Sequence, residues 1–159
     1  MKEYTEKELL VKAEAYCAAA ERCPSEVEDK LQKWGAGEDV KARVMARLLE
    51  ERYLDGTRFC RFFVRDKYRF NQWGRMKIVQ ALRMKRLSPE EIDAGLEEID
   101  ADEYDGILED LLKKKAKSVK AASEYERNAK LMRFAAGRGF TADEIMKHIR
   151  RGGPDECVD

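Results

Sequence analysis

Apolar residues recur along this chain with the period of a helix. Leu9, Leu10, Ala13, Tyr16 and Cys17 fall at steps of one, three and four, and so do Val40, Val44, Leu48 and Leu49. Such spacing lays one apolar stripe along each segment. No segment sustains the strict alternation of a half-buried strand. Helix starts are marked by Pro24-Ser25 before Glu26, by Ser88-Pro89-Glu90-Glu91 before Ile92, and by Thr141-Ala142-Asp143-Glu144 before Ile145. The last two are capping boxes, in which a hydroxyl accepts from an orphan amide and an acid three residues later reaches back. Stops are marked at Trp34-Gly35, Trp73-Gly74 and Gly137-Arg138-Gly139. The pattern predicts an all-α protein of nine helices, over about 5–22, 25–33, 38–53, 56–70, 74–85, 89–99, 101–117, 121–136 and 142–150.

The nine fall into three sets of three, with an internal echo to support the grouping. The stretch from Leu82 to Ile92 resembles that from Phe134 to Ile145, with Leu87 matching Phe140 and Ile92 matching Ile145 at an offset of 53 residues. A looser match places Trp34-Gly35-Ala36-Gly37 one period upstream. Self-similarity near this period implies tandem helical modules that complete their cores against one another, in an elongated, curved array. The expected modules are 1–54, 55–100 and 101–151, followed by a tail, 152–159, that reads as disordered.

Composition fits this picture. At 159 residues, 43% hydrophobic and 40% charged, with three prolines, the chain has enough apolar material for a core. The first residues, MKEYTEKELLVKAEAY, are charged and mixed, so no membrane association and a cytoplasmic location are expected. Formal net charge is zero, but the charge is sorted into blocks. Between Gly56 and Leu87 lie ten cations against the single acid Asp66; Ser88 to Leu112 holds eleven acids and no Lys or Arg; Lys113 to Arg138 holds nine cations against Glu124 and Glu126. Blocks of this kind present a patterned surface to large charged partners.

Catalytic chemistry finds little support. There is no GxxxxGK[ST] loop, the one histidine, His148, has no nucleophile signature around it, and Cys17, Cys23, Cys60 and Cys157 lack CxxC spacing. The expectation is a non-enzyme with reduced thiols, no cofactor and no metal. The acid pairs Glu90-Glu91, Glu97-Glu98 and Asp102-Glu103 read as a solvated face, and Lys113 to Lys117 as a solvated helix end favoured by the dipole.

Phe59, Phe62, Phe63, Phe70 and Trp73 fall at helical spacings and read as core, leaving Tyr68 off that stripe and freer to be exposed. Arg58, Arg61, Arg65 and Arg69 recur every three or four residues and share one helix face. Two readings of that row stand: pairing with the acids of 90–110, or contact with an anionic partner. A helix-turn-helix that reads base sequence is disfavoured, because its candidate recognition helices open with Glu90-Glu91-Asp93 and Asp143-Glu144, which would meet phosphates. A sequence-nonspecific DNA-binding helical protein and a helical protein–protein adaptor remain as alternatives.

Arg58-Phe59, Phe63-Val64-Arg65-Asp66-Lys67, Trp73-Gly74, Ile78, Leu82 and Lys85, followed by Lys130-Leu131, Arg133-Phe134, Arg138-Gly139-Phe140 and Ile145, resemble the RecX regulatory proteins of bacteria, over about Ala13 to Ile149. In that family the turn before the sixth helix usually reads Lys-Gly-Ile; here it is Lys85-Arg86-Leu87, without the residue that takes positive φ freely. The resemblance implies three repeats of three helices. It also implies a non-enzymatic modulator, expected as a monomer, that lies in the groove of RecA recombinase filaments on single-stranded DNA and restrains strand exchange and co-protease action. Contacts with RecA and with the single-stranded DNA backbone are then expected from Arg58, Arg61, Arg65, Arg69, Arg75 and Lys77, and from Lys130, Arg133 and Arg138.

Overall fold

The structure, a computed structural model, describes residues 3–149. The tail 152–159, with Cys157, and the end of the third module at residue 151 lie outside the described residues. Within them the chain is entirely helical: α1 Glu6–Ala19, α2 Pro24–Lys33, α3 Glu38–Glu50, α4 Gly56–Arg69, α5 Arg75–Met84, α6 Pro89–Leu96, α7 Ala101–Ser118, α8 Glu124–Gly137 and α9 over 142–149. The capping residues act as their chemistry requires. Ser88 and Glu91 exchange hydrogen bonds across the first turn of α6, Thr141 and Glu144 do the same at α9, and Thr5 and Glu8 form a third box at α1. Side chains of Asp100 and Ser123 accept from the third amide of α7 and α8.

The internal echo is a repeated piece of backbone. Gly35, Arg86 and Gly139 all take left-handed conformations, with φ of 90, 65 and 105°. Behind each, the next amide reaches back five residues: Ala36 to Leu31, Leu87 to Leu82 and Phe140 to Ala135. Each is a helix stop whose 6→1 bond satisfies an orphan carbonyl. Arg86 therefore keeps the geometry that glycine serves elsewhere, and bears the Cβ crowding that an L-residue meets there. Arg86→Gly is expected to raise stability by about 0.5–1 kcal/mol in urea denaturation, since its exposed pair with Asp29 at 3.4 Å contributes little. A loss of stability would show that the pair outweighs the strain.

By their internal contacts the residues group into two compact units: residues up to Phe62 with Leu82–Gly95, and Phe63–Ala81 with residues from Leu96 onward. In the first, α1, α2 and α3 close over Leu9, Ala13, Val27, Leu31, Val44, Met45, Leu48 and Leu54. Tyr16 and Trp34 meet edge to face with centroids 6.3 Å apart at the rim. Cys60, Leu82, Leu87 and Ile92 are buried in the same unit. Burial pushes the Cys60 thiol up to about 12, so it stays protonated and inert.

In the second unit the buried residues include Phe63, Val64, Tyr68, Ile78, Tyr104, Leu108, Leu131, Phe140 and Ile145. Two expectations fail along α4. Tyr68 is wholly buried, whereas Phe62 is 47% and Phe70 80% exposed. The buried stripe is Phe59, Cys60, Phe63, Val64 and Tyr68; Phe62 points off it, and Phe70 lies one residue past the end of the helix, where the register lapses. The Tyr68 ring is drawn inward because its hydroxyl is satisfied there, donating to Glu103 at 2.6 Å and accepting from the Asp100 amide at 3.3 Å.

Candidate functional site

Most of the cations singled out in the sequence hold the fold together. On α4, Arg58 donates to Glu21 at 2.9 Å and to the carbonyls of Arg52 and Tyr53 at 3.0 and 3.3 Å, covering acceptors past the end of α3. Arg61 is half-buried and engaged. Arg65 meets Glu98 at 2.7 Å, and Arg69 meets Glu103 at 3.1 Å. The two glutamates belong to the acidic run, so for these arginines the internal pairing is realised. Arg138 reaches the carbonyls of Asn71 and Gln72, acceptors past the end of α4. The run is correspondingly more than a solvated face, since Glu91 caps α6 and Glu98 and Glu103 pair.

Arg75 belongs to a polar cluster built on Tyr104. The Tyr104 hydroxyl accepts from the Arg75 amide at 2.9 Å and donates to Glu144 at 3.1 Å. The Arg75 guanidinium lies 5.2 Å from the Tyr104 ring centroid and 3.7 Å from Glu144. Burial pushes the Tyr104 phenol well above its ordinary range, so it remains a donor at any physiological pH. Tyr104→Phe would strip the first turn of α5 of an acceptor while leaving the ring's packing intact. The expected cost is about 1–3 kcal/mol by thermal or urea unfolding, and a loss below about 0.5 kcal/mol would mean that water replaces the hydroxyl.

A different arrangement surrounds Lys130 and Arg133. Here α7 ends at Ser118, and α8 returns alongside it. Their side chains border an open groove of about 560 Å³ lined by Lys115, Lys120, Lys130, Arg133, Phe134 and the Ser118-Val119 turn. Four of these residues are cationic and none is acidic. The Lys115 ammonium stands 5.0 Å over the Phe134 ring, and Lys130 is held by the Lys120 carbonyl and by Glu126 at 3.2 Å. Arg133 and Lys120 have no ion pair among the described residues. Crowding like charge around an open groove is unfavourable unless an anion enters it, and a cation over an aromatic face suits stacking as well as phosphate. The sequence singled out Lys130 and Arg133 but took Lys115 for a solvated helix end. Phe134 three residues after Leu131 was the available signal, since it carries the apolar edge of α8 out to the groove. Lys77, the remaining candidate, is exposed with its ammonium 4.6 Å from the Trp73 ring.

Family models for the RecX three-helix domains match in order along the chain: the first at residues 10–48, the second at 55–96 and the third at 102–149. The chain belongs to the RecX family. It is 28% identical over 138 residues to the regulatory protein RecX of Oceanobacillus iheyensis, covering 87% of this chain and 51% of that one. To the regulatory protein RecX of Mycobacterium sp. (strain JLS) it is 28% identical over 137 residues, covering 81% and 75%. The chain thus spans about half of the first relative's length and three quarters of the second's. Among solved structures, RecX from Lactobacillus salivarius superposes with a TM-score of 0.85 at 20% identity, covering 92% of this chain and 95% of that one. A second, titled regulatory protein RecX, gives 0.79 at 19% identity, covering 91% and 74%. The fold is therefore the RecX fold, in a family whose curated members are named regulatory proteins. Among the described residues no helix is long and apolar enough to cross a membrane.

Proposed function

We propose that this chain is a non-enzymatic, monomeric regulator in the cytoplasm that binds RecA recombinase filaments on single-stranded DNA and restrains strand exchange and co-protease action. Three RecX domain matches in sequence order, from residue 10 to residue 149, carry the reading. We take the modules to be 1–54, 55–100 and 101–151. The α7–α8 groove supports a nucleoprotein partner, because four cations and an aromatic wall line it, against the one neighbouring carboxylate of Glu126, on a chain that is neutral as a whole. Of the expected contacts, Lys130 and Arg133 border this groove, Lys130 already paired with Glu126; Lys115 and Lys120 join them there without having been expected. Arg58, Arg65, Arg69, Arg75 and Arg138 would serve by holding the surface in shape.

Co-sedimentation with RecA–ATP–single-stranded DNA filaments, beside naked strands and DNA-free RecA at one salt concentration, tests this. Preferential pelleting with the filament, together with slower strand exchange, is expected. Binding to naked strands with no preference for the filament would replace the regulator by a nonspecific DNA-binding protein. Binding to DNA-free RecA alone would make it an adaptor. Charge reversal at Arg65 is a poor probe of contact, since it sets a carboxylate against Glu98 and reports on folding.

A further inference from the structure

The chain's one histidine is nearly enclosed: the His148 side chain, on α9, is 7% exposed. Both ring nitrogens face carboxylates of α7. Nε2 lies 2.7 Å from Asp105 Oδ1, and Nδ1 lies 4.0 Å from Glu109 Oε2. Asp105 and Glu109 are one helical turn apart and so share a face. One donor atom from each of the three residues lies within 4.8 Å of the other two. We propose that Asp105, Glu109 and His148 bind a first-row divalent metal ion, with Zn²⁺ the best match, joining α7 to α9.

The donor set selects the ion class. An imidazole with two carboxylates suits Zn²⁺ and its neighbours, whereas Mg²⁺ and Ca²⁺ favour oxygen donors throughout. Three protein ligands leave a fourth tetrahedral position for water. Ligand atoms about 2.0–2.2 Å from a tetrahedral ion stand roughly 3.3–3.6 Å apart. One ion takes only one ring nitrogen, so reaching that spacing requires the His148–Asp105 contact to open slightly and Glu109 to swing from its place beside Nδ1 by roughly 1 Å or more, the three donors now lying within 4.8 Å of one another. Both carboxylate side chains are partly open to solvent, at 47% and 43%, and have room to do so. Glu109 is held on its outer side by an exposed pair with Lys113 at 2.9 Å. Giving up that exposed Lys113 pair costs little. Without a metal, a His148–Asp105 hydrogen bond and a Glu109–Lys113 pair would account for the 2.7 and 2.9 Å contacts, and Glu109→Gln separates the two arrangements. The cysteine spacings that discouraged a metal site in the sequence do not bear on this one, which uses no sulfur.

The test uses the full chain with Zn²⁺ alone, by titration calorimetry and thermal unfolding, and Co²⁺ as a spectroscopic substitute. One equivalent is expected to bind and raise Tm, and Co²⁺ should show d–d bands without a thiolate charge-transfer band. Glu109→Gln, on the exposed side of the cluster, should fold normally and weaken binding by about tenfold or more; His148→Gln should abolish it. If His148→Gln does not fold, Glu109→Gln still decides. The proposal is overturned by no rise in Tm, by undiminished affinity in Glu109→Gln, or by a thiolate band that assigns the metal to the cysteines.

Discussion

Alanine at Gly74 is expected to lower the stability of this protein by about 3 kcal/mol or more. The start of α5 sits directly on the turn between α8 and α9: the Gly74 amide donates to the Arg138 carbonyl at 2.7 Å, and the Met76 amide to the Gly139 carbonyl at 2.9 Å. A Cβ on Gly74 would run into the backbone of Gly139 and Phe140, and one on Gly139 would meet Lys77 at a φ of 105°. Backbone has no rotamer to change, so the contact must open and both hydrogen bonds go with it. Overpacking alone costs about 1–3 kcal/mol and sometimes more, and each lost bond adds about 0.5–1.5. Urea denaturation followed by circular dichroism measures the effect. Gly56→Ala is the matched control, because the atoms nearest its Cβ are those of the Glu91 carboxylate, a side chain that can shift at the cost of its cap bond to the Ser88 amide, and its cost should be smaller. Equal, small losses at both positions would mean that α5 is not seated on that turn.

Reversing charge in the α7–α8 groove, with Lys115→Glu and Arg133→Glu together, is expected to weaken filament binding by about ten- to a hundredfold. Two attractive sites become repulsive, and the strong dependence of nucleic-acid affinity on phosphate neutralisation sets that scale. Lys7→Glu with Lys33→Glu makes the same change in net charge on exposed positions far along the chain, and should leave binding within about twofold. Unchanged helical signal in both double variants confirms that the comparison is of surfaces. An equal loss in the two would mean that only net charge matters, and no loss in the first would remove the groove from the contact.

The helices were legible because their ends are written in local chemistry. The boxes Ser88–Glu91 and Thr141–Glu144 and the stops at Gly35 and Gly139 act within a few residues, where sequence and space nearly coincide. The repeat was legible for the same reason, and even Arg86 was placed correctly by its neighbours despite being the wrong residue type for its φ of 65°. Tyr68 was misjudged because its burial depends on Glu103 and Asp100, more than thirty positions away. The arginine row could not be resolved from the sequence for a like reason. Spacing showed that Arg65 and Arg69 share a face with Arg58, but only the fold shows which acids arrive opposite them. The cluster of Asp105, Glu109 and His148 was hidden by a separation of about forty residues, although the i, i+4 pair on α7 was half of its signature.

Where a carboxylate already sits on an arginine, no mobile ion from solution needs to. Glu98 on Arg65 and Glu103 on Arg69 are fixed counterions, present before any polyanion approaches. Association with nucleic acid gains entropy from small ions set free, and a tethered carboxylate cannot be set free. A count of this chain's cations would therefore overstate how steeply its hold on an anionic partner falls as salt rises, and the slope should follow the few lysines and arginines that fold leaves uncovered.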